Sequence, residues 1–213
     1  MRLFVGLSLP AEIRACLRGM CNGLEGARWV QTDNMHMTLR FIGEVDGGEA
    51  QDLDAALGAI SASEFGLELR GLGHFGKGAK VRAVWVDVAP APNLTRLHEN
   101  IEGAIVRAGI EPEHRKFRPH VTLARFKGRG PKSIGAYLEA NNTFAAPTFP
   151  ITAFTLFESH MGHGGSHYVA LKDYPLSEVR REHLSQSVYP NYCRQDGIAE
   201  PIIDGLHAYG PGG

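Results

Sequence analysis

Two hundred and thirteen residues suffice to bury a full core in one domain or two intimate lobes, and 43 % hydrophobic residues is the content of an ordinary globular protein. A formal net charge of −1 excludes a protein that coats nucleic acid through bulk charge, so an anionic ligand has to be gripped locally. The cysteines Cys16, Cys21 and Cys193 form neither a CxxC nor a zinc-type pair, residues 1–10 are too short for a signal peptide, and no apolar run reaches membrane length. A cytoplasmic monomer without membrane contact is expected.

Leu3, Val5 and Leu7 alternate with Arg2, Phe4 and Gly6, which predicts a half-buried strand over 2–8. Pro10 opens a helix in which Ile13, Leu17, Met20 and Leu24 recur every three or four residues, and Asn22-Gly23 ends it. A short strand at Arg28-Trp29-Val30 leads to a longer one starting at His36 and closed by Gly43-Glu44. A second helix follows over 48–60. Strands near 64–72 and 81–88 are joined by a Gly-rich turn, 73–78, and a third helix, 92–109, shows the stripe Leu94, Leu97, Ile101, Ala104, Ile105 and Ala108. A strand from His120 comes next, with Pro119 at its start where a missing N–H is tolerated. A short helix near 131–140 and strands at 150–158 and 167–172, linked by a loop over 159–166, complete one domain over 1–176. Residues 177–213 lack periodicity and are expected to be a partly disordered tail. The pattern is α+β, with helices against antiparallel-type strands in two similar halves.

Two stretches resemble each other: His36-Met37-Thr38-Leu39 and His120-Val121-Thr122-Leu123. A strand's period of two sends His and Thr to one face and the apolar residues to the other, so each copy has a chemical face and a core face. With ten His in the chain, one His-x-Thr is expected by chance about 0.4 times, so a single copy is weak and two are informative. The likeness continues into Arg40-Phe41-Ile42-Gly43 and Ala124-Arg125-Phe126-Lys127-Gly128, with one extra residue in the second copy. Imidazole is the side chain that serves as acid or base near neutral pH, and a phosphodiester set between two of them meets both. Thr38 and Thr122 are placed to donate to its non-bridging oxygens. Between Arg115 and Lys132 there are seven basic residues, Arg115, Lys116, Arg118, Arg125, Lys127, Arg129 and Lys132, and no acidic one, a local strip for anions. Arg118 shares the face of His120, and Arg125 falls after the strand, from where it can fold over a phosphate as a fork-shaped donor. Phe4, Phe157 and Tyr168 are candidates for stacking on a nucleobase, each more simply read as core, whereas parity assigns Phe41 to the core.

These motifs, together with Leu39-Arg40-Phe41-Ile42-Gly43-Glu44-Val45, the segment from Arg118 to Arg125 and the opening Arg2-Leu3-Phe4, resemble the two-histidine (2H) phosphoesterase superfamily. Within it the chain is most similar to the bacterial RNA 2′,3′-cyclic phosphodiesterases, the 2′-5′ RNA ligase family. The resemblance implies a bilobal, pseudo-twofold α+β fold with two antiparallel-type sheets, outer helices and a central cleft. It implies a metal-independent opening of a 2′,3′-cyclic phosphate at an RNA end to a 2′-phosphate, without a cofactor. It further implies that His36 is the proton donor, that His120 is the proton acceptor, and that Thr38, Thr122 and Arg125 bind phosphate.

Other readings remain open at this level: a 2′-5′ RNA ligase, a phosphodiesterase for small cyclic nucleotides or an ADP-ribose derivative, and a module that binds phosphorylated RNA ends without turnover. A metal reading rests on His160, His163 and His167 with Glu158 nearby, in a Gly-rich segment more simply read as a mobile loop over the cleft.

Overall fold

The structure is a computed structural model that describes residues 1–128, 130–162 and 165–178. Residues 179–213, most of the expected tail, lie outside the described residues. Among the described residues four α-helices and ten strands follow in the order β1 (Arg2–Ser8), α1 (Ala11–Gly19), β2 (Arg28–Trp29), β3 (His36–Glu44), α2 (Gly47–Gly58), β4 (Phe65–Leu67), β5 (Leu69–Phe75), β6 (Ala83–Val88), α3 (Pro92–Arg107), β7 (His120–Arg125), α4 (Ile134–Ala140), β8 (Phe149–Ile151), β9 (Ala153–Gly162) and β10 (Gly165–Pro175). Helix starts follow local chemistry. Asp46 caps α2 through a reciprocal capping box with Glu49, and Pro92 occupies the first turn of α3, where its missing N–H costs nothing.

Two antiparallel half-sheets meet in the middle. One runs β10-β9-β1-β3 and the other β7-β6-β5, with β2 also on β7, and they join where Met37 of β3 faces Val121 of β7. A separate ribbon, β4 with β8, stands apart. The two expected sheets are therefore one surface with a seam. Behind it, Met37, Val121 and Leu123 pack with Ile13 and Leu17 of α1, Leu53 and Leu57 of α2, and Leu94, Leu97, Ile101 and Ile105 of α3 in one core. A smaller cluster gathers Leu24, Val81, Val84, Phe126 and Tyr137.

Several expected boundaries differ: the strand expected near 64–72 is two, β4 and β5, and that at 150–158 is β8 and β9, with β4 and β8 leaving the main sheet to pair with each other. The first helix stops at Gly19, because Met20 already closes it and Gly23 turns the chain at φ +77°, so Leu24 joins the second cluster instead of extending the stripe. The Gly-rich 73–78 segment is strand up to Phe75. Gly73 is there because the Trp85 ring of the neighbouring strand lies on it, and a Cβ would come within 2.2 Å of that ring. The segment 159–166, expected as a loop, is largely strand: His160 pairs with His167 and Met161 with Ser166. Leu176 is buried, and Ser177 is still bonded to Ala62 and Glu64.

Candidate active site

The register at the seam arranges the two motifs. With Met37 opposite Val121, the antiparallel ladder sets His36 level with Thr122 and Thr38 level with His120. All four side chains share the face away from the core, since Met37 and Val121 are fully buried on the other. His36, Thr38, Arg118, His120, Thr122 and Arg125 line one cleft of about 650 Å3. The six residues expected to move protons or bind phosphate are all in it.

Both imidazoles are held alike. His36 Nδ1 donates to the Asn34 carbonyl and His120 Nδ1 to the Arg118 carbonyl, each at 2.7 Å and each two residues back. This fixes the neutral tautomer with a lone pair on Nε2, which at His36 faces the Thr38 hydroxyl at 3.1 Å. Burial pulls the His36 imidazole down to about 4, against the favourable Asn34 carbonyl, with Arg125 and His120 pushing the same way as burial. Burial also lowers His120, helped by Arg125 and Arg118 and opposed by the Arg118 carbonyl and Asp87. Asp87 is its cross-strand neighbour. Without an anion in the cleft, both rings are neutral at pH 7.

Aromatic rings pack each imidazole. Around His36 stand Phe4 at 4.9 Å, Phe157 at 5.8 Å and Tyr168 at 4.8 Å, ring centre to ring centre. Phe4 and Phe157 are buried and stacked on each other, so they support the histidine, while Tyr168 lines the cleft. The approach depends on Gly6, where a Cβ would lie 2.7 Å from the Met37 carbonyl and 3.6 Å from the His36 ring. Around His120 stand Phe75 at 4.9 Å and Trp85 at 5.8 Å, and the Arg118 guanidinium lies 4.4 Å over the Trp85 ring.

A bulge in each motif strand corrects the parity argument. Gly6 faces Thr38 but Val5 faces Arg40, and Trp85 faces Thr122 but Val84 faces Ala124, so Leu39 and Leu123 are the extra residues. Beyond them the faces exchange. Phe41, expected in the core, is 49 % exposed and lines the cleft, while Arg40 is buried. Arg125 is the last residue of β7, turned to the cleft by the same device. The two copies correspond residue for residue as far as Phe41 and Arg125. Their inserted residue comes after Phe126, before Gly128, which like Gly43 turns at positive φ.

Arg40, which parity puts on the chemical face and the bulge buries at the cleft's floor, lines the cleft too, as do Arg82 just before β6 and His98 on α3. Arg40 donates to Glu102 of α3 at 2.5 Å and to the carbonyls of Phe41 and Glu111. Of the basic strip, Arg115 is committed to Glu113 at 2.6 Å, and Arg129 lies outside the described residues. His160 pairs with Glu158 at 3.1 Å, and His163 lies outside the described residues. Among the described residues no three His, Cys, Asp or Glu side chains are grouped to hold a metal ion, and no helix is long and apolar enough to cross a membrane.

Comparison with known proteins agrees with this geometry. The chain is 44 % identical over 100 residues to the RNA 2′,3′-cyclic phosphodiesterase of Aeropyrum pernix, covering 46 % of this chain and 57 % of that one. It is 30 % identical over 187 residues to the Escherichia coli protein of the same name, covering 83 % and 97 %. The crystal structure of E. coli LigT complexed with 3′-AMP matches at a TM-score of 0.67 and 30 % identity, covering 83 % of this chain and 98 % of that one. The family model of the 2′-5′ RNA ligase superfamily matches residues 8–163, and the chain belongs to that family.

Proposed function

We propose that this chain is an RNA 2′,3′-cyclic phosphodiesterase that opens a 2′,3′-cyclic phosphate at an RNA end to a 2′-phosphate, with no metal in the reaction. The observation that carries the reading is the seam: one register position brings two His-Thr pairs to one face, each imidazole held at Nδ1 and free to work through Nε2. Relatives that bear this name support the substrate class.

In the reaction, His120 Nε2 takes a proton from water as its oxygen bonds to phosphorus. The bond from phosphorus to the 3′ oxygen breaks, and His36 Nε2–H protonates that oxygen. Thr38, Thr122, Arg118 and Arg125 bind the non-bridging oxygens and stabilise charge in the transition state. His36 has to acquire its proton first, because burial keeps it neutral in the free protein. The phosphodiester anion supplies the opposite charge that raises its affinity for that proton. Phe41 and Tyr168 give the nucleoside an apolar wall on the His36 side. The domain that does this spans residues 1–176, and the protein acts as a cytoplasmic monomer.

The test is hydrolysis of a short RNA ending in a 2′,3′-cyclic phosphate, in EDTA, with the product followed by phosphorus NMR. A 2′-phosphate is expected. A 3′-phosphate would reverse the assignment of the leaving oxygen, and turnover that vanishes in EDTA would overturn the metal-free mechanism.

A further inference from the structure

The segment 111–119 belongs to no helix or strand, yet it carries Arg118, whose carbonyl fixes the tautomer of His120. Its path is set from outside. Glu102 on α3 accepts the Glu113 N–H at 2.8 Å with one carboxylate oxygen and Arg40 Nε at 2.5 Å with the other. Arg40, only 6 % exposed, directs its remaining arms to the Glu111 and Phe41 carbonyls. One helical turn earlier on α3, His98 stacks on Phe117 at 3.8 Å with the rings 12° apart. The segment is thus held at 111, 113 and 117 before it reaches Arg118.

We infer that Arg40 and Glu102 are positioning residues for His120: the buried guanidinium and the half-buried carboxylate hold the 111–119 segment so that the Arg118 carbonyl meets His120 Nδ1. Arg40 sits on the strand that carries His36, so a guanidinium of one half orients the imidazole of the other. A pair that served stability alone would be replaceable by apolar residues of similar volume with little change. A positioning pair is not replaceable, because two hydrogen bonds into the segment leave with it. The charged and titratable groups that face His120, namely Arg118, Arg125, Asp87 and His36, are unaltered in the variants that test this.

The decisive comparison is wild type against Arg40→Met/Glu102→Met, by thermal unfolding, by nitrogen-15 histidine NMR and by kinetics on the cyclic-phosphate RNA. Unfolding within a few degrees of wild type is expected, with His120 losing its single Nδ1–H tautomer and shifting its titration midpoint while His36 keeps both. The value of kcat should fall roughly ten- to hundredfold with KM within about threefold. If the double variant does not fold, Glu102→Gln is used instead, since a Gln accepts only one of the two donors. An unchanged His120 tautomer and midpoint in the folded variant overturns the inference, whatever the rate does. Equal disturbance of both histidines also overturns it, because it marks a purely structural role. The kinetic arm rests on the function proposed above; if wild type leaves the RNA intact, that reading fails while the NMR arm still decides this one.

Discussion

The halves on either side of the seam are built to one plan and differ at one decisive position. Each has a His-x-Thr-Leu strand, a bulge at the Leu, an Nδ1 held by the carbonyl two residues back, and aromatic rings against the imidazole. Five residues after the histidine the first half presents Phe41 and the second Arg125. The first half is thereby apolar around a deeply desolvated imidazole, and the second is cationic, with Arg118 and Arg82 lining the same cleft as Arg125. Duplication supplies two imidazoles held in the same way, and this one difference gives the cleft an apolar and a cationic side. In the function proposed above, the nucleoside would lie on the apolar side and the phosphate would be met by Arg125.

The comparison breaks most severely if either imidazole is removed. His36→Ala and His120→Ala are each expected to reduce kcat by at least about a hundredfold while thermal unfolding stays cooperative, as both rings stand on the cleft face. A near-normal rate in either would end the two-imidazole scheme. Exchanging the decisive position is the next largest effect. Arg125→Leu should weaken inhibition by inorganic phosphate roughly tenfold or more, whereas Phe41→Ala should leave phosphate inhibition alone and raise KM for the nucleotide substrate by a comparable factor. Equal effects of the two on phosphate would mean the halves are not specialised.

A subtler effect is the pH profile. Both imidazoles are pulled below the ordinary value, His36 to about 4, so at pH 7 both are unprotonated in the free protein, and in the proposed scheme the base is ready while the acid is not. From pH 8 down to 7, where both rings are deprotonated, kcat/KM should therefore rise by close to tenfold per unit, and phosphate binding should take up a proton, read by calorimetry in buffers of different ionisation enthalpy. A profile that falls with acidification over this range would refute the ordering. The smallest effect is on stability. The folded His36 binds its proton more weakly than the unfolded chain, so its contribution is complete above about 6.5 and is lost as the pH falls towards 4. The drop in melting temperature from pH 7.5 to 5 should be smaller in His36→Asn than in wild type.

Much of this was legible in the chain because the motif residues lie before the bulges, where period two holds. Spacing alone placed His36 with Thr38 on one face of its strand and His120 with Thr122 on one face of theirs; that the two faces are the same one follows from the pairing of Met37 with Val121. Phe41 and Arg40 could not be placed by spacing, because one inserted backbone residue exchanges inside and outside, and Leu39 looks like any other strand leucine. Gly73 was read as a turn for the opposite reason: its smallness answers a cross-strand Trp85, a contact with no local signature. The Arg40 and Glu102 pair joins residues 62 positions apart, and no periodicity connects them.

The seam at Met37 and Val121 has one more consequence. Because neighbouring strand residues face opposite sides, a slip of one position on either strand would turn an imidazole towards the core and expose an apolar side chain at the same stroke. Burial of the core and completion of the cleft are therefore selected together during folding. A chain that settles its hydrophobic interior has already assembled both imidazoles, and a misregistered one is penalised by water before any substrate tests it.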